Sequence, residues 1–278
     1  MADKLFSALL KYWRGRRGLS QLDLAMAADV SARHLSFLES GRASPSEEMV
    51  LRLMSTLALP LRDQNTVLRA ASFPARFPEP ALDTIDPVIG RTIAHMLRQQ
   101  EPFPLVVMNA GYDVLRTNDA ANTVFSHFVV DPARLLMTVN LYGLVFDPQL
   151  ARPFIKNWPR VGQYMISRLH REALSRPDDA RLWALLKRVL AYPDVPPSWR
   201  HPDFSGICEP TLSLQLERGP LALGFLTAVT VFSAPQQVTL DELRIESYFP
   251  MDDQTRLACE RLAATTPVAT ALTGLTSP

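Results

Sequence analysis

Glycine is scarce, at 11 of 278 residues, and cysteine scarcer still, at two. No window holds the ~18 uncharged apolar residues that a membrane-crossing helix needs. The shortage of glycine argues against a Gly-rich barrel or linker protein. Together with 23 prolines it favours helices separated by stiffened connections. Cys208 and Cys259 lie far apart and lack metal-ligand spacing, so two free thiols in a reducing cytoplasm are expected. The first apolar stretch, residues 5–10, is short and runs into a basic segment without a small-residue cleavage site, so no export signal is expected.

Catalytic chemistry is also thin. His95, His127, His170 and His201 are scattered, with no His-x-His pair to seat a metal. Ala110-Gly111 could mimic the scissile bond of an autocleaving repressor, but the only lysines beyond residue 11 are Lys156 and Lys187, both in helical segments. No Gly-rich phosphate loop or paired-carboxylate motif stands out. Neither an enzyme nor a cofactor or metal site is expected.

What is present is a folded composition: 47% hydrophobic, 21% charged, net charge +1, and long enough for two domains. The charge is uneven. Residues 1–72 carry ten Lys/Arg against seven Asp/Glu, and Lys11, Arg14, Arg16 and Arg17 crowd together. Such a cluster suits a solvated helix face or a polyanion.

Residues 1–72 read as five short helices. Leu5, Leu9, Tyr12 and Trp13 recur at helical spacing before Gly18. Ser20 is a natural N-cap for a second helix, Ser31 for a third over 32–40 closed by Gly41, and Ser46 for a fourth. A fifth follows Pro60. Two helices joined by a three-residue turn, with small Ala25 where they must approach, is the helix-turn-helix pattern.

The stretch Ser20-Gln21-x-x-Leu24-Ala25-x-x-Ala28-x-Val30-Ser31, continuing through Leu35, Leu38, Glu39, Gly41 and Pro45, resembles the Xre/Cro/lambda-repressor-like DNA-binding family. At 100° per residue, Leu35 and Leu38 face the core, leaving the opposite side of the third helix to DNA. Beginning at Ala32, that side offers Arg33, Ser36, Phe37 and Ser40. Arg33 suits guanine O6 and N7, Ser36 a base or phosphate, and Phe37 either a thymine methyl or packing against the fourth helix. The resemblance implies that Gln21 bonds a phosphate and braces the reading helix, and that Glu39 is structural. Arg42, Arg14, Arg16 and Arg17 are the phosphate-facing candidates. The expected partner is a palindromic duplex read by a homodimer.

Residues 73–82 form a Pro-rich linker, and 83–264 a second domain. Asp86-Pro87 opens a helix to about residue 100, whose stripe Ile89, Ile93, Met96 and Leu97 packs on its own domain or pairs with a twin. A hairpin at Asn109-Ala110-Gly111 is followed by helices near 118–125, 138–146, 160–175 and 178–191, the last capped by Asp178. Strands follow at 210–217, 221–233 and 243–249, then a helix over 252–264 and a disordered tail over 265–278. The fold class is α+β: an all-α domain, then a five-stranded antiparallel sheet with flanking helices.

Segments 104–122, 140–146 and 235–255 look like the ligand-binding domain of MmyB-like transcriptional regulators. The resemblance implies a PAS-like fold whose helices enclose an apolar cavity. The Pro-rich stretch 192–204 departs from that pattern. Candidate pocket residues are Phe225, Leu226 and Ala228 on the long strand, where small residues leave room for a helix or a ligand. His170 and Arg171 are head-group donors or part of a solvated face. The sequence thus reads as a cytoplasmic DNA-binding regulator sensing a small apolar, fatty-acid-like ligand. The alternative is a regulator whose second domain is only an oligomerisation or protein-interaction platform.

Overall fold

The computed structural model describes residues 2–136, 139–177, 179–202 and 213–265. The chain divides into two compact units. The first comprises Met1–Ala81 and, from far along the chain, Phe232–Glu242; the second comprises Leu82–Val231 and the chain from Leu243 onward.

The first unit holds α1 (Ala2–Arg16), α2 (Gln21–Ala27), α3 (Ala32–Ser40), α4 (Glu47–Thr56) and α5 (Leu61–Ala70). Its caps are those expected. Ser20 and Asp23 close a reciprocal capping box, while Ser31 and Ser46 accept from His34 N and Met49 N. The turn between α2 and α3 returns Val30 N to Ala25 O, with Asp29 in the left-handed region at φ 53. Gly41, at φ 70, ends α3 while Arg42 N reaches back to Phe37 O. Phe6, Leu10, Leu24, Leu35, Leu38, Val50, Leu53 and Leu68 form the interior. Burying each such side chain contributes about 1.5–3 kcal/mol. The buried Ser7 hydroxyl donates to Leu38 O at 2.6 Å, tying α1 to α3.

The second unit begins with α6 (Pro87–Gln99), capped by Asp86, whose carboxylate accepts from Val88 N. Of its stripe only Ile93 is fully buried. Five strands follow in two groups: β1 (Leu105–Met108) and β2 (Val114–Thr117), then β3 (Ser213–Arg218), β4 (Leu221–Thr230) and β5 (Arg244–Pro250). Between the groups run α7 (Asp119–His127), α8 (Leu141–Phe146), α9 (Trp158–Ser175) and α10 (Ala180–Leu190). The strands make one sheet in the order β2-β1-β5-β4-β3, antiparallel throughout. The short α11 (Val238–Glu242) lies in the β4–β5 connection, and α12 (Asp253–Thr265) follows β5. This is the PAS-like α+β arrangement.

Register fixes what each sheet face carries. Val106, Met108, Leu214, Leu216, Leu223, Phe225 and Tyr248 share one face and join the main core with α7, α8, α9 and α10. On the other face Leu105, Val107 and Ile245 are buried, whereas Ala228 and Phe249 are exposed. Cys259 is a free, buried thiol on α12, pushed up to about 11 by burial and the nearby Glu260 charge.

Some expectations need revision. The residue capping α10 is Asp179, accepting from Arg181 N; Asp178, like Cys208 and the tail 266–278, lies outside the described residues. The Pro-rich stretch expected as a linker over 73–82 is held near its start by Asn65, whose side chain bonds Arg76 N, Phe77 N and Phe77 O. The connection after β4 is no simple loop of the second unit. Its helix α11 belongs to the first.

Candidate nucleic-acid interface and sensor interior

On α3 the inward positions Leu35 and Leu38 are wholly buried. Ala32, Arg33 and Ser40 are exposed, and Ser36 and Phe37 partly so. The Arg33 guanidinium lies over the Phe37 ring, 5.4 Å from its centroid. The aromatic thus becomes a platform for the arginine, which narrows the arginine's search among rotamers. Ser40 Oγ donates to Phe37 O at 3.2 Å, and Arg42 stands exposed just past the helix end.

The other basic candidates divide. Arg14 makes a fork on Glu39: Nε to Oε1 at 2.6 Å, Nη2 to Oε2 at 2.9 Å, with Nη1 donating to Leu19 O. Gln21 Nε2 donates to the same Glu39 at 2.7 Å. Burial pushes the Glu39 carboxyl up, but bonds from Arg14 and Gln21 and the charges of Arg14 and Lys11 hold it below the usual carboxylate range. Arg17 turns onto the carboxyl end of α4, donating to Leu57 O at 2.7 Å and Ala58 O at 2.8 Å. Arg14 and Arg17 are therefore tied to the fold by their hydrogen bonds, Arg17 while remaining exposed like Arg16 and Arg42.

The residues expected at a ligand pocket are dispersed. Phe225 is wholly buried on the helix-covered face of the sheet, its ring edge-on to Tyr248 at 6.0 Å. Leu226 and Ala228 have the opposite parity on β4 and point to the other face. Arg171 is exposed. His170 is buried, its Nε2 3.0 Å from Trp199 O, and it borders an open cleft of about 460 Å³ with Trp183, Leu186, Lys187, Leu190 and Arg200.

A different polar cluster, partly buried, gathers around the buried ring of Tyr112. Glu172 on α9 accepts from Tyr112 Oη at 2.6 Å, from Arg168 Nε at 3.1 Å and from Arg244 Nη1 at 3.2 Å. Both guanidiniums lie against the Tyr112 ring, at 5.4 Å for Arg168 and 4.8 Å for Arg244. Burial raises Glu172, yet Arg244, Tyr112 and Arg168 together keep it below its ordinary value. Burial drives the Tyr112 hydroxyl up to about 12 against the pull of both arginines. Glu246, bonded to Tyr248 and Thr227, is raised by burial. Tyr112 itself sits at φ 66, a left-handed conformation that costs an aromatic residue about 1–3 kcal/mol. An aromatic series runs on from it through Tyr142, Phe146, Trp158 and Trp199.

Residues 89–262 match the model of the MmyB-like transcription regulator ligand binding domain. The chain belongs to this family. Residues 10–64 of the MmyB-like regulator also match a helix-turn-helix model. It is therefore a DNA-binding transcription regulator carrying a ligand-binding domain. No curated protein matches it. Among solved structures it aligns with an RNA-binding light-oxygen-voltage receptor at 14% identity and a TM-score of 0.28. That alignment covers 92% of this chain but only 56% of the receptor, and a likeness so shallow carries no inference. No helix among the described residues is long and apolar enough to cross a membrane.

In this MmyB-like regulator the cluster of Tyr112, Arg168, Glu172 and Arg244 was missed in the sequence. One signal was available: Arg168 and Glu172 stand four apart on α9, the spacing of a helical ion pair. Nothing local points to Arg244, which arrives from β5.

Proposed function

We propose that this regulator reads a palindromic duplex as a cytoplasmic homodimer, with α3 of each protomer in the major groove. Its second domain would respond to a small apolar ligand with an acidic head, of the fatty-acid kind. The observation that carries the DNA reading is the outward set Arg33, Ser40 and Arg42 around a helix whose Leu35 and Leu38 are wholly buried. A dimer of such domains reads half-sites ~34–36 Å apart. The acidic head is supported by Arg168 and Arg244, two partly buried guanidiniums converging on one carboxylate. No catalytic role is proposed, since both matched families are regulatory.

The exposed Val229, Val231, Phe249 and Met251 favour a second reading, in which the domain is an oligomerisation or protein-interaction platform. Selection from a random duplex library by the full chain tests the first. The expected product is an inverted repeat with half-sites about one helical turn apart, and failure to enrich any sequence counts against it.

A further inference from the structure

The N-terminus of α5 has no cap of its own. It is preceded by Pro60, which has no side-chain oxygen to offer its free N–H groups. The missing acceptor comes from 180 residues away: Asp241 Oδ2 accepts from Leu61 N at 3.0 Å. On the next residue of each segment, Glu242 and Arg62 form a two-pronged pair, Nε to Oε1 at 2.6 Å and Nη2 to Oε2 at 3.0 Å. Glu79 closes on the same guanidinium from the other side. Val238 is wholly buried beside them, and its N–H bonds Pro78 O at 2.9 Å.

These residues are the connection between two sensor strands. β4 ends at Thr230 and β5 begins at Arg244, yet Phe232–Glu242 is folded into the DNA-binding unit. An ordinary hairpin loop has no reason to bury a valine or to cap a helix 180 residues away.

We propose that Phe232–Glu242 is a strap that completes the DNA-binding unit. It makes α5 the point at which a change in β4 and β5 is felt, alongside the direct chain connection at residues 81–82. Asp241 and Glu242 are its two attachment points. The strap rests on this geometry alone; what it transmits rests on the DNA reading above.

The test is amide hydrogen exchange on the full-length chain, comparing wild type with D241N and E242Q. Both changes keep side-chain volume while weakening the acceptors. Exchange over residues 61–71 should quicken by about tenfold in each variant, while 32–40 in the same unit and 105–108 in the other keep their protection, which shows that both units remain folded. Unchanged exchange over 61–71 overturns the strap.

Transmission has its own readout, because coupling free energies are reciprocal. A duplex selected from a random library by the wild-type chain should slow exchange over 221–230 and 244–250. That effect should vanish in D241N and E242Q at saturating duplex. No effect in wild type, or the same effect in the variants, overturns transmission. A chain that selects no duplex defeats the DNA reading and transmission, and leaves the 61–71 comparison to decide the strap.

Discussion

Arg14 and Glu39 form a two-pronged ion pair between the end of α1 and the end of α3, at 2.6 and 2.9 Å. Their side chains are only 15% and 4% exposed, so neither can be rehydrated if the other is removed. The pair, with Gln21 on the same carboxylate, ties the last turn of α3 to α1 and to the start of α2.

Replacing Glu39 should therefore destabilise the first unit more than a surface ion pair would. Glu39→Ala strands a largely buried guanidinium and releases Gln21, an expected loss of about 2–4 kcal/mol. Urea unfolding followed by the fluorescence of Trp13, in a background where Trp158, Trp183 and Trp199 are replaced by Phe, measures it. A loss below about 0.5 kcal/mol would mean that the pair is ornamental.

The acid limb of stability follows from the carboxyls. Glu39 and Glu172 are held below their ordinary value, so their contribution is complete above ~4.3 and fades as pH falls through the lowered folded values. Glu246 is raised and has the opposite sign: its burial is best tolerated when protonated, and its contribution falls as pH climbs from the ordinary range to the raised one. Glu172→Gln should flatten the acid limb, whereas Glu246→Gln should be neutral or stabilising at pH 7. Melting temperatures from pH 3 to 8 separate the two. A Glu246→Gln protein that is less stable at pH 7 would contradict the sign.

Tyr112→Phe keeps the ring, the two cation contacts and the left-handed backbone, removing only the hydroxyl 2.6 Å from Glu172. A charge-assisted bond of this kind is worth about 1.5–3 kcal/mol. Denaturant unfolding of the second unit should lose that amount.

On the DNA side the arginines should behave differently. Arg33→Ala is expected to lose about 1–3 kcal/mol of specific binding and relax preference at one base pair. Arg42→Ala should weaken all duplexes alike and reduce the salt slope by about 1. Arg17→Ala should act on stability, by about 1 kcal/mol, because its donors serve Leu57 O and Ala58 O. Fluorescence anisotropy across a salt series, alongside melting curves, distinguishes the three.

Much of the fold was legible because its signals are local. Ser20, Ser31, Ser46 and Gly41 announce helix ends through their own backbone chemistry, and the strands at 105–108 and 244–250 show in short runs bounded by turns. The partners of long side chains were not legible. Nothing in the run of Arg14, Arg16 and Arg17 says that one will grip Glu39 and another the end of α4. Phe225, Leu226 and Ala228 look alike as pocket candidates by composition, although Leu226 and Ala228 face the opposite side of the sheet from Phe225. The strap was invisible for a plainer reason: its attachment is between residues 180 apart, and each half looks like an ordinary loop or helix start.

Native mass spectrometry of the full-length protein, with extraction of anything retained, tests the proposed ligand-responsive dimer in a single sample. The expected result is a dimer that releases one defined, small apolar acid. A monomer from which nothing can be extracted would contradict it.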